Sequence, residues 1–168
     1  MRSISEEFKE SNCYYLDQGE EKIRKSFSFL DEEDVWQKPN ASLNSMGNLL
    51  LHLNGNISQY IISSLGRLPD TRQRDEEFSA NPGFSKERLL QQLSATIAKA
   101  KEIIRNCPEE ELLRVRKVQG FELSGMAIVI HVTEHLSYHG GQIAFWTKYL
   151  KEQDLGFYQG SDLNKKND

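Results

Sequence analysis

Apolar residues recur near a helical period along most of the chain. From residue 3 to 29, Phe8, Leu16, Ile23 and Phe27, continued by Leu30, fall on one side of a helix whose other side is charged. Ser3 or Ser5 stands where an N-cap belongs. In "LDEEDVWQKPNASLNS" a short acidic helical turn gives way to Trp36, Pro39 and a polar run, which reads as a structured connection. A second helix is predicted from Asn44 or Ser45 to Leu65, with Met46, Leu49 or Leu50, Leu53, Ile57 and Tyr60 as its core-facing seam. The stretch "GRLPDTRQRDEEFSANPGF" is polar and holds both Gly and Pro, so it reads as a crossover. Ser85 caps a third helix, with Phe84 placed to staple against Leu89; it runs to about Arg105 and stops before Pro108.

Residues 114–122, "RVRKVQGFE", have the β-branched residues of an extended segment. With no second segment to pair with it convincingly, a sheet-based core is not expected. The last helix, from about Leu123 to Lys151, is the longest, and Ile128, Val132, His135, His139, Gln142, Trp146 and Tyr149 form its predicted inward stripe. The polar tail, about residues 159–168, is expected to fray. Four long amphipathic helices predict an all-α four-helix bundle in a single domain spanning residues 1–168. The connections after helices two and three are long enough for crossovers.

Composition narrows the function classes. The 168 residues are 38% hydrophobic and 27% charged, which suits a globular chain able to bury a core without disulfides or a structural metal. A net charge of -4 gives no basic footprint, so nucleic acid is not an expected partner. Cys13 and Cys107 lack metal-ligand spacing and are expected as unpaired thiols. The polar, acidic start and the absence of any apolar run near about 18 residues predict a cytoplasmic protein with no membrane association.

The chemistry concentrates in "HVTEHLSYHGGQ", which holds three of the four histidines at four-residue spacing. Imidazoles that converge on one buried seam need a shared partner, because each unsatisfied polar group costs about 1–3 kcal/mol. A divalent metal is such a partner, since neutral imidazole is its commonest ligand. His131 and His139 stand about 12 Å apart along the helix axis, whereas two nitrogens on one ion are at most about 4.2 Å apart. One ion can therefore take His131 with His135, or His135 with His139, plus a ligand from another helix. The first pair reads as H-x-x-E-H, an inverted zinc-peptidase pattern with Glu134 as base. Against it, nothing later supplies a separate ligand helix. The second pair is followed by Gly140 and Gly141, each costing about 1 kcal/mol in a helix, which predicts that a backbone or ligand comes close there. On helix two, His52 lies at the edge of the seam with Asn56 one turn on.

The blocks "GNLLLHLNGNISQYI" and "HVTEHLSYHGGQIAFWTKYL", supported by "FLDEEDVWQKPNASLNSMG", resemble the DinB-like superfamily, which includes proteins of the bacillithiol transferase type. The resemblance implies a bundle with a long crossover, a homodimer, and a nickel or zinc site at one end made by His52, His135 and His139. It leaves His131 outside the ligand set, near the metal or simply in the core. It also implies a small-molecule thiol and an electrophile as substrates. Tyr138 and Gly140 stand where many relatives carry His and Arg, a departure that bears on substrate contacts. Asn56, Gln142 and Glu134 are candidate supporting or catalytic polar groups, and Tyr60, Tyr138 and Trp146 candidate pocket walls. The competing expectations are a metal-dependent hydrolase and a non-catalytic metal-binding stress-response module.

Overall fold

A computed structural model describes residues 2–80 and 82–167; the ends of the expected domain and tail, residues 1 and 168, lie outside the described residues. Helix α1 spans Ile4–Phe27, and Ser3 is its cap, in a reciprocal box in which Ser3 Oγ accepts from the Glu6 amide while the Glu6 carboxylate accepts from the Ser3 amide. The acidic turn is α2, Glu32–Trp36. Helix α3 spans Met46–Ile57 behind a second box built by Ser45 and Asn48, and it continues as a π-helical segment, Ser58–Leu65. The expected seam is buried: Met46, Leu50, Leu53, Ile57 and Tyr60 are in the core.

The polar crossover contains an unexpected short helix, α4, Arg74–Ser79. Helix α5, Lys86–Asn106, starts behind Ser85 as predicted and ends before Pro108. Phe84 is partly buried under the Arg88 guanidinium, and its carbonyl accepts from Trp36 Nε1 at 3.1 Å. A one-turn helix, α6, Glu109–Leu113, follows.

Residues 115–124 correct one expectation. The extended segment does find a partner, namely its own continuation: strand β1, Val115–Val118, pairs antiparallel with β2, Phe121–Ser124. Gln119 and Gly120 both have positive φ, 50° and 85°, the two-residue turn whose twist suits a hairpin. The sheet has two strands and forms no core layer. Ser124 then caps α7, Gly125–Lys151.

The bundle consists of α1, α3, α5 and α7. Helix α1 packs on α7 and α5, and α3 packs on the same two. Bundle helices one and two, and three and four, thus stand diagonally across the core. The connections after helices one and three join diagonal helices, and the long connection after helix two joins direct neighbours and lays α4 on α3. Helices α3 and α5 run parallel, with Thr96 meeting Asn54 and Ile103 lying beside Gly66, so the expected crossover after helix two is present. Cys13 and Cys107 are free and buried. Among the described residues, no helix is long and apolar enough to cross a membrane.

The inward stripe of α7 also differs from expectation. Its core residues are Ile128, Val129, Val132, Leu136, Ile143 and Thr147, while Gln142 and Tyr149 are exposed. The buried band of α7 spreads over the sides that face α1 and α3. Leu136 faces α1, where Gly19 leaves it room, and Thr147 faces Met46 of α3. His135 and His139 lie on the flank toward α3, half-buried.

Candidate metal centre

Packing of α3 against α7 brings together three residues that the chain separates widely. One ring nitrogen from each of His52, His135 and His139 lies within 4.8 Å of the other two. His52 Nε2 is 2.9 Å from His135 Nε2, and the His139 ring centroid is 5.1 Å from that of His52 and 4.5 Å from that of His135. His52 is buried and the other two are half-buried.

Hydrogen bonds on the far sides of two rings fix which nitrogen faces the centre. His52 Nδ1 is 2.9 Å from Glu77 Oε2. Arg72 donates to the same carboxylate from Nε (2.7 Å to Oε1) and Nη2 (2.9 Å to Oε2). Burial by itself would raise the Glu77 carboxyl, but these hydrogen bonds from Arg72 and His52 outweigh it and hold it below the usual carboxylate range. An ionised carboxylate only accepts, so His52 Nδ1 carries the proton and Nε2 presents a lone pair to the centre. Arg72 Nη2 lies 3.2 Å from His52 Nδ1 because both donate to Glu77 Oε2. In the same way His139 Nδ1 donates to Gln142 Oε1 at 2.7 Å, leaving Nε2 of His139 as a lone pair.

Burial favours the neutral form, the one a metal requires, for the rings on α7. Burial, reinforced by the nearness of His139 and His52, pushes His135 down to about 3. Burial also lowers His139, with the Gln142 hydrogen bond opposing, and burial lowers His131. A proton between His52 and His135 can satisfy only one pair of nitrogens, whereas a cation accepts all three lone pairs at once. Three converging imidazoles, two of them held by acceptors on their outer nitrogens, fit a divalent ion.

His131 is one turn away and does not join this group. It stacks on Tyr60 with centroids 4.3 Å apart and meets Asn56 Nδ2 through Nε2 at 3.2 Å. Tyr60 is buried, and its hydroxyl donates to Gln119 Oε1 at the hairpin turn. Asn56 is buried beside His131, with its Oδ1 lacking a partner among the described residues. Glu134 is exposed and lines a groove of about 510 Å³ between α1 and α7, turned away from the imidazole cluster. It is therefore not placed to serve as a base there.

The two glycines after His139 do not mark a close approach within the chain. A Cβ on Gly140 would make ordinary contact with Ile23, and one on Gly141 would meet open space. A second groove, about 640 Å³, borders His139 and Gln142 and includes Leu43, Tyr138, Phe145 and Trp146; among the described residues no Asp, Glu, Lys or Arg side chain lines it.

Glu77 and Arg72 were absent from the sequence reading. Their signal lay on α3, where Asn48, His52, Gly55 and Gln59 form one polar stripe at three- and four-residue steps. Each meets the crossover. Asn48 Nδ2 donates to the carbonyls of Glu77 (2.9 Å) and Ala80 (3.0 Å), and Gln59 accepts from Arg72 Nη1 at 2.9 Å and donates to Asp70 Oδ2 at 2.8 Å. At Gly55 a Cβ would overlap Glu77 Oε1.

Comparisons with known proteins agree with this architecture. A conserved protein from Enterococcus faecalis superposes with a TM-score of 0.75 at 16% identity, covering 91% of this chain and 100% of that one. A DinB-like protein from Bacillus subtilis superposes with a TM-score of 0.67, also at 16% identity, over 89% of this chain and 97% of that one. At such identities the likeness is one of fold. None of the curated proteins matches the chain in sequence. The family model described as mycothiol-S-transferase matches residues 13–146, a span containing all three histidines of the cluster. The chain belongs to the mycothiol-S-transferase family of DinB-like proteins.

Proposed function

We propose that the protein is a divalent-metal-dependent S-transferase that joins a low-molecular-weight thiol to an electrophilic carbon. His52, His135 and His139 are its metal ligands, and nickel or zinc is the ion, both being suited to imidazole donors. The observation that carries this reading is the convergence of three ring nitrogens within 4.8 Å, with the outer nitrogens of His52 and His139 already donating elsewhere. Three protein ligands leave positions open, as catalytic sites do. When bound, such an ion would supply Lewis acidity that lowers the pKa of a thiol and stabilises its anion.

The chain's own residues do the rest. The Glu77 and Gln142 acceptors keep two imidazoles oriented, and the low proton affinity of His135 keeps that ring neutral and available at neutral pH. In the transfer the thiol gives its proton to solvent and the sulfur forms a bond to carbon. The leaving group departs with its electron pair or, in an addition, the neighbouring carbon takes up a proton. The uncharged groove beside His139 favours an electrophile with an apolar portion. The thiol that the family description names is mycothiol. A homodimer is part of the proposal, supported by the exposed apolar Ile130, Tyr138, Phe145 and Tyr149 on α7.

The test pairs metal content with thiol consumption. Wild type and His131→Ala should hold one equivalent of metal, whereas His52→Ala, His135→Ala and His139→Ala should lose it. The metal-loaded protein should consume thiol in the presence of an electrophile. Metal retained without His139, or no turnover with any of several thiols including mycothiol, would refute the reading.

A further inference from the structure

We propose that Glu77, braced by Arg72, is a positioning residue that holds His52 in its Nδ1–H form, and that Gly55 is the opening through which its carboxylate reaches the ring. The proposal rests on the reading of His52 as a metal ligand.

The arrangement goes beyond a structural ion pair in three respects. First, it is dry: the Arg72 side chain is 3% exposed and that of Glu77 9%. Second, it is fully employed. Arg72 spends Nε and Nη2 on the carboxylate and Nη1 on Gln59, and its backbone amide donates to Asp70 Oδ1 at 3.1 Å. Glu77 Oε2 nevertheless has a further donor, His52 Nδ1 at 2.9 Å, which a pair that served only the crossover would not require. Third, α3 is shaped around it, since any side chain at Gly55 would displace Oε1.

The chemistry of this contact runs in one direction. A buried imidazole has two neutral tautomers, and only the Nδ1–H form leaves Nε2 free to face His135 and His139. An anionic acceptor selects that form and makes Nε2 a better donor, as outer partners of ligating histidines do. Arg72 cancels the net charge, so the ring meets an acceptor without an isolated buried anion. The carboxylate is carried in turn by backbone that Asn48 grips at Glu77 and Ala80.

The test uses full-length protein in two measurements. In the metal-free protein, nitrogen-15 NMR of the His52 ring reports the tautomer. Wild type should show Nδ1–H, while Glu77→Gln and Gly55→Ala should show a substantial Nε2–H population. Glu77→Gln acts because its amide nitrogen can donate to Nδ1. Gly55→Ala acts by pushing an unaltered carboxylate away, and alanine favours the helix, so it separates loss of contact from loss of charge. In competition with a chromophoric chelator, both variants should bind zinc about 10–100-fold more weakly than wild type, with His52→Ala as the reference for a missing ligand. The inference is overturned if both folded variants keep the wild-type tautomer and a zinc affinity within about threefold of wild type. Undiminished zinc binding by His52→Ala would instead overturn the assignment of His52 as a ligand, and the NMR result on the metal-free chain would still decide whether Glu77 sets the tautomer.

Discussion

Asn48→Ala should destabilise the protein more than any other single polar truncation on α3. The side chain is fully buried and makes four hydrogen bonds. Its Oδ1 accepts from the Ser45 amide (3.2 Å) and the Ser45 hydroxyl (2.7 Å), closing one half of the helix cap. Its Nδ2 donates to the carbonyls of Glu77 and Ala80, fastening the crossover. Each bond contributes about 0.5–1.5 kcal/mol net, and buried groups left without partners move the cost toward the upper end, so a loss of about 3–4 kcal/mol is expected. That is a large part of the stability of an ordinary domain. Urea denaturation with an unchanged m-value would measure it. Asn48→Asp sharpens the reasoning, because a carboxylate keeps the cap acceptor but turns acceptor oxygens toward two carbonyls. At neutral pH it should be at least as damaging as Ala, and acidification should relieve part of the loss by restoring one donor. A loss under about 1 kcal/mol for Ala, or an Asp variant milder than Ala at neutral pH, would refute the assignment of Asn48 as the fastener.

Three further outcomes are expected. Saturating zinc or nickel should stabilise wild type and His131→Ala but not His135→Ala, by about 2.7 kcal/mol at a hundredfold excess over Kd; the corresponding rise in unfolding midpoint is read from thermal melts with and without chelator. In metal-free protein, stability should rise with pH across the range from about 3 to 6.5, because His135 titrates near 3 when folded and near its ordinary value when unfolded, so the unfolded chain binds more protons in that window; urea midpoints at several pH values would show the slope, and a flat profile would count against burial of His135. Gly125→Ala should cost about 2 kcal/mol or more, because a Cβ there would overlap the backbone of Glu111 and Leu112 rather than a side chain able to turn aside; wild-type stability in that variant would refute the close approach of α6 to α7.

The caps were readable because their chemistry is local. Ser3, Ser45 and Ser85 each satisfy an amide three residues on, a relation visible in the sequence itself. The seam of helix two was readable because one face of α3 meets the core. Helix α7 resisted the same treatment, since its buried positions, Ile128, Val129, Val132, Leu136, Ile143 and Thr147, make an apolar band wide enough to leave His135 and His139 on the flank. The hairpin was missed because "KVQGF" was read as one strand, although Gln119 and Gly120 adopt the positive φ of a turn. Glu77 was missed for a different reason. It is one of several acidic residues in "RQRDEEF", and nothing in that run distinguishes the one that α3 shelters. The distinction is made from the other side, by Gly55 and His52.

The polar stripe of α3 has a thermodynamic consequence. Residues 48, 52, 55 and 59 clasp the crossover, and one of them also faces the imidazole cluster, so the two share a single mechanical element. By reciprocity, whatever free energy the docked segment from Asp70 to Ala80 contributes to engaging the His52 ring, engagement of that ring returns to the docking of the segment. The crossover therefore works as a gauge of occupancy: its amide hydrogens should exchange more slowly when the histidines are engaged and faster when they are released, although the segment supplies none of the three ring nitrogens.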